Sequence, residues 1–73
     1  MQCEICGALA VDRTPPDFDG LKLECGECGK YAIAGTSLDT FRKLESEERR
    51  GALRKAKSRA RAGEWPLIAG TEL

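Results

Sequence analysis

The chain has 73 residues, 12 basic and 12 acidic side chains, no histidine, and only four aromatic residues to build a core. A domain this short buries only about 60% of the surface its unfolded chain exposes, so it needs a staple: a metal, disulfides or a partner chain. No stretch approaches the roughly 20 apolar residues of a membrane span, and no membrane role is expected.

The opening MQCEIC has neither a basic n-region nor an apolar h-region, so no secretory signal is expected and the cytoplasm is the default compartment. Cys3-Glu4-Ile5-Cys6-Gly7 is a CxxCG knuckle, followed by a short strand within Ala8 to Val11. Asp12 to Gly20 reads as a loop, because two adjacent prolines and three aspartates favour turns over a ladder. Gly20 to Cys25 alternates apolar and charged residues, the period of a half-buried strand. A second knuckle, Cys25-Gly26-Glu27-Cys28-Gly29, leads into a returning strand at Tyr31 to Ala34, with Tyr31 and Ile33 on one face.

After Gly35 the pattern becomes helical. Thr36 is placed to cap a helix with Asp39 as capping-box partner, and Leu38, Phe41 and Leu44 follow at helical spacing. Ser46 before Glu47 and Glu48 is a second start signal, since acids suit a helix N-terminus. Gly51 costs about 1 kcal/mol relative to Ala inside a helix, which allows a bend there. Ala52 to Ala62 are strong helix formers, and Gly63 reads as the C-cap. The tail, Glu64-Trp65-Pro66-Leu67-Ile68, is too apolar to lie free in water, and a lone Trp is expected to cap the core.

The cysteines are spaced C-x₂-C, then 18 residues, then C-x₂-C, the structural-zinc pattern of paired CxxC motifs. Two thiolates three residues apart can both reach one tetrahedral ion at about 2.3 Å. The glycine after each second cysteine, Gly7 or Gly29, is expected to relieve crowding at the knuckle. Cys3, Cys6, Cys25 and Cys28 are therefore the expected ligands of one structural Zn²⁺. A tetrahedral S₄ site also suits iron, as in rubredoxin-like sites, though such cores are richer in aromatics than a ribbon holding only Phe18 and Tyr31. Disulfides require an oxidising compartment, and a dithiol redox centre requires one CxxC in a thioredoxin-like βαβ context.

Cys3 to Ile33 resembles a zinc ribbon, and CGECGKYAIAGTSL at Cys25–Leu38 is similar to small bacterial and phage zinc-ribbon proteins. The resemblance implies a metal-stapled α+β fold: a three-stranded zinc ribbon over residues 1–35, then one or two helices and an apolar tail over 36–73, packed as a single domain. It implies no agreed activity.

Charge is strongly segregated. Residues 1–48 carry a net −5, residues 49–62 a net +7, and Glu64 and Glu72 restore zero. On a helix, Ala52, Leu53, Ala56 and Ala60 form a narrow apolar side, while Arg50, Arg54, Lys57 and Arg61 form a cationic stripe beside it. Such a stripe is the footprint of phosphate contacts, and the expected function is a nucleic-acid-associated binding module. The alternative is a protein adaptor or inhibitor, of the kind phages encode, docking this helix and Trp65 on an acidic partner surface. A third reading is a solvated face balancing the acids of the same domain. An enzyme is not expected. There is no histidine to serve as general base, every thiol is assigned to metal, no phosphate-cradling loop appears, and no room is left for a small-molecule substrate pocket.

Overall fold

The alternation in Gly20–Cys25 sets the sheet. The computed structural model describes residues 1–73 as a small α+β fold with a four-stranded sheet and two helices. Strands β1 (Ala10–Asp12), β2 (Gly20–Cys25) and β3 (Gly29–Ala34) form an antiparallel meander. Helices α1 (Gly35–Arg42) and α2 (Ser46–Arg59) follow, then β4 (Leu67–Ile68) and a 3-10 turn at Gly70–Glu72.

Pairing of Leu23 with Tyr31 and of Leu21 with Ile33 puts the apolar residues of β2 and β3 on one face. Leu23, Tyr31 and Ile33 are fully buried there, together with Phe41 of α1, Ala52, Leu53 and Ala56 of α2, and Ile68 of β4. Two alanines on the inner side of α2 let it approach the sheet closely, so a nearly aliphatic helix face suffices. No helix is long and apolar enough to cross a membrane.

The sheet departs from the three-stranded expectation. The tail adds β4 parallel to β3, pairing Leu67 with Ala32 and Ile68 with Ile33, while the Ala32 N–H donates to the Pro66 carbonyl at 2.8 Å. A parallel neighbour needs a crossover, and α1 and α2 supply it. Trp65 therefore does not enter the apolar core. It is half-buried just before β4, and Ile68 takes the core position.

The helix boundaries also differ. β3 runs directly into α1, with Ala34 as a cap lacking any side-chain bond, so Thr36 lies within the first turn and caps nothing. The Gly35 N–H donates instead to the Asp19 carbonyl at 2.9 Å. Helix α2 does begin at Ser46, but its cap is Glu45, in a reciprocal box with Glu48. The helix continues through Gly51 without a break and ends at Arg59. Gly63 is not its cap; it occupies a left-handed φ of +84° in a separate turn closed by Glu64 N–H on the Arg61 carbonyl at 3.0 Å.

Arg49 ties the helices to the first knuckle. Its guanidinium donates to the carbonyls of Leu44, Glu4 and Arg42 at 2.9, 2.8 and 2.6 Å and lies over the Phe41 ring. Arg42 pairs with Glu4 at 2.9 Å, and Arg59 pairs with Glu72 beside the 3-10 turn. The Glu72 carboxyl is buried, and its pKa is held low by Thr71 hydroxyl and Ala69 N–H donors and by Arg59.

Candidate metal centre

Each knuckle is a tight turn at the end of a paired ladder. In the first, Cys3 N–H donates to the Ala8 carbonyl at 2.7 Å and Gly7 N–H to the Cys3 carbonyl at 3.0 Å, while Gln2 and Leu9 form a bridge that closes its base. The second is the β2–β3 turn itself, with Cys25 paired to Gly29. The pairing of Ala10 with Cys25 in β1–β2 then brings the two turns together.

Gly7 and Gly29 both take left-handed backbone, at φ +78° and +81°. A Cβ at Gly7 would meet nothing within 4 Å, and one at Gly29 only the Lys57 Nζ at 3.9 Å. The knuckles therefore require glycine for its backbone conformation, and the crowding expected from the sequence is not the reason.

The four sulfurs converge, all within 4.8 Å of one another. The Cys3–Cys28 and Cys6–Cys25 separations are 3.8 and 3.5 Å. A tetrahedron with metal–sulfur bonds of about 2.3 Å has edges of about 3.8 Å, so one ion fits among these sulfurs with little movement. Cys3 and Cys25 are buried and Cys6 and Cys28 half-buried. The four cysteines thus form a group able to hold a metal ion.

Tyr31 extends this centre. Its buried hydroxyl accepts the Glu4 N–H at 3.1 Å, which leaves the phenolic proton to point at the Cys3 sulfur 3.0 Å away. The Ile5 N–H also faces that sulfur, at 3.4 Å. Burial opposes ionisation of Cys3, yet the Tyr31 hydroxyl and the Cys6 and Ile5 amides bring its thiol down to about 7. Burial, reinforced by the Cys3 sulfur, pushes the Tyr31 phenol up, so it stays protonated and remains a donor. Burial and the crowded sulfurs push the Cys28 thiol up, the repulsion that a bound cation removes. From the sequence Tyr31 is only a core strand residue, because nothing in its spacing announces a bond to a ligand.

Helix α2 borders the half-buried side of the cluster. An open cleft of about 460 Å³ lies there, lined by Cys6, Cys28, Arg50, Leu53, Arg54 and Lys57. Lys57 donates to the Cys28 carbonyl at 2.8 Å. Arg50 and Arg54 are exposed and enter no ion pair or side-chain hydrogen bond. Arg61 lies beyond the end of α2, so it does not continue the stripe. Trp65 is likewise remote from this cleft and lines hollows against Phe18, Lys22, Ala56 and Leu67. The structure brings three of the predicted binding residues to the cysteine cluster and leaves two elsewhere. No protein-family model, curated protein or solved structure matches this chain.

Proposed function

We propose that the chain is a non-catalytic zinc-binding module that associates with nucleic acid through α2. Zinc is the favoured ion because a closed shell of four thiolates suits a structural tetrahedral site and leaves no position for a reacting water. Four thiolates around a divalent ion sum to −2, and Lys57 on the Cys28 carbonyl is placed to offset part of that charge.

The observation that carries the nucleic-acid reading is the pair of exposed, unpartnered guanidinium groups of Arg50 and Arg54 at the mouth of an open cleft. Three carboxylates elsewhere are paired with Arg13, Arg42 and Arg59, whereas Arg50 and Arg54 form no ion pair, although Glu27 and Glu47 line the hollows beside them. Guanidinium forks match phosphate oxygens in pairs. A protein partner with an acidic surface would use the same cations. Leu9 and Val11, 84% and 49% exposed at the β1 end of the sheet, are the observation that favours it.

The test is binding of labelled single- and double-stranded oligonucleotides, followed by anisotropy from low to physiological salt, on protein shown to hold one zinc per chain. Affinity is expected to fall steeply with salt, with a slope of about −0.9 per phosphate neutralised on duplex or −0.7 on single strands. The Arg50→Ala/Arg54→Ala variant should lose close to two such contacts. Absence of binding at low salt would retire the reading in favour of a protein partner. Visible absorption of a ferric thiolate would reassign the metal.

A further inference from the structure

The helices cover one face of the sheet, and the other face carries a group of side chains that neither the metal centre nor α2 uses. Register sets Lys22 beside Ala32 and Ala32 beside Leu67, all pointing away from the core residues Leu23, Ile33 and Ile68. Ala32 forms part of the floor of a shallow hollow of about 270 Å³, whose walls include Phe18, Lys22, Trp65 and Leu67. The Lys22 ammonium lies 5.1 Å from the centroid of the Phe18 ring and 5.6 Å from that of Trp65. The Lys30 ammonium also lies 5.6 Å from the Trp65 centroid.

Two aromatic rings distant in sequence and two ammonium groups thus meet on one surface. Neither lysine forms an ion pair. Of the acids nearby, Glu24, cross-strand from Lys30, pairs with Arg13, and Glu64, which also lines the hollow, accepts the Arg61 N–H without pairing with either lysine. Only weak contacts with the ring faces hold the ammonium groups in place. A ligand that offers both a planar ring and a phosphate would satisfy both halves of this arrangement. A duplex hides its base faces in its own stack, whereas an unpaired strand presents them.

We infer that this outer sheet face is a platform for single-stranded nucleic acid. A base stacks on Trp65 with Phe18 across the hollow, and Lys22 and Lys30 move from the rings to the flanking phosphates. The inference rests on the nucleic-acid reading above and specifies the state of the strand, which the charges of α2 alone do not select.

Trp65 is the sole tryptophan, so its emission reports the site directly in the unaltered protein. The experiment titrates zinc-loaded protein with a labelled oligothymidylate and with a duplex of equal length, recording Trp65 emission and label anisotropy together. Quenching of Trp65 that tracks binding of the single strand, with weaker binding of the duplex, is expected. Trp65→Ala should weaken single-strand binding by about 5- to 150-fold. Lys22→Ala should reduce the salt slope by about 0.7 and keeps the test open if the tryptophan variant loses its zinc or its fold. Binding with unchanged Trp65 emission, abolished by Arg50→Ala/Arg54→Ala but not by Lys22→Ala, overturns the platform and leaves the α2 reading standing. Equal binding of duplex and single strand also overturns it. Failure of both oligonucleotides to bind removes both readings.

Discussion

The Tyr31 hydroxyl bridges a backbone amide of the first knuckle and the Cys3 sulfur, so one side chain from β3 orients a cysteine of the group able to hold a metal ion. Donors to ligand atoms commonly change metal affinity by about 10- to 100-fold when removed. Tyr31→Phe keeps the buried ring and deletes only this donor. Zinc affinity measured against a chromophoric chelator should fall about tenfold, while the zinc-loaded protein keeps its dispersed amide spectrum. Equal affinity would show that the hydroxyl serves packing alone. The clustering of the four cysteines was legible because CxxCG is a local pattern. Tyr31's role was not, since the bond joins residues 28 positions apart.

Elements were legible where local periodicity was strong. β2 and β3 follow their alternation, and the inner side of α2 is Ala52, Leu53 and Ala56 as predicted, whereas the predicted Ala60 lies past the helix as its C-cap. β4 has two residues, too few for any period, and is a strand only because β3 offers it an edge. Gly51 shows packing overriding propensity, since α2 runs through it. An added Cβ at Gly51 would meet only the Arg54 guanidinium, at 3.7 Å. Gly51→Ala should therefore raise stability by about 0.5–1 kcal/mol, read as a shift in the denaturant midpoint of zinc-loaded protein. Lower stability would mean that the helix needs the flexibility of glycine at this point. Arg49 shows the opposite lesson for charge: it counts toward the basic run in sequence but folds inward onto three carbonyls.

At the scale of the molecule, magnitudes would put a metal held by the four cysteines at the centre of stability. At roughly 0.05–0.15 kcal/mol per residue, a domain of this length has about 4–11 kcal/mol of folding free energy. Structural zinc contributes about 10–16 kcal/mol of apparent binding free energy in small fingers, enough to account for all of it. The cysteine cluster also joins the first knuckle, which adds only Ile5 to the rest of the core, to the β2–β3 turn. A strong chelator should collapse both the near-ultraviolet circular dichroism and amide dispersion, and Cys25→Ser should reproduce the collapse. Acidification should do the same as the thiolates protonate and release the ion. Retention of native spectra after stoichiometric zinc removal would show that the apolar core suffices.

By itself the sequence determined what depends on neighbours along the chain: the two knuckles and their cysteines, the alternating strands, the inner face of α2, and the separation of acidic from basic segments. Tertiary structure alone decided what depends on residues far apart. It turned the tail into a fourth strand, placed Tyr31 on a ligand, set Arg50 and Arg54 beside the cysteine cluster, and gathered Phe18, Lys22, Lys30 and Trp65 on one sheet face. The physical reason is that periodicity encodes which side of an element is buried, whereas pairing partners are chosen by loop closure and by the surfaces left open once the core has formed.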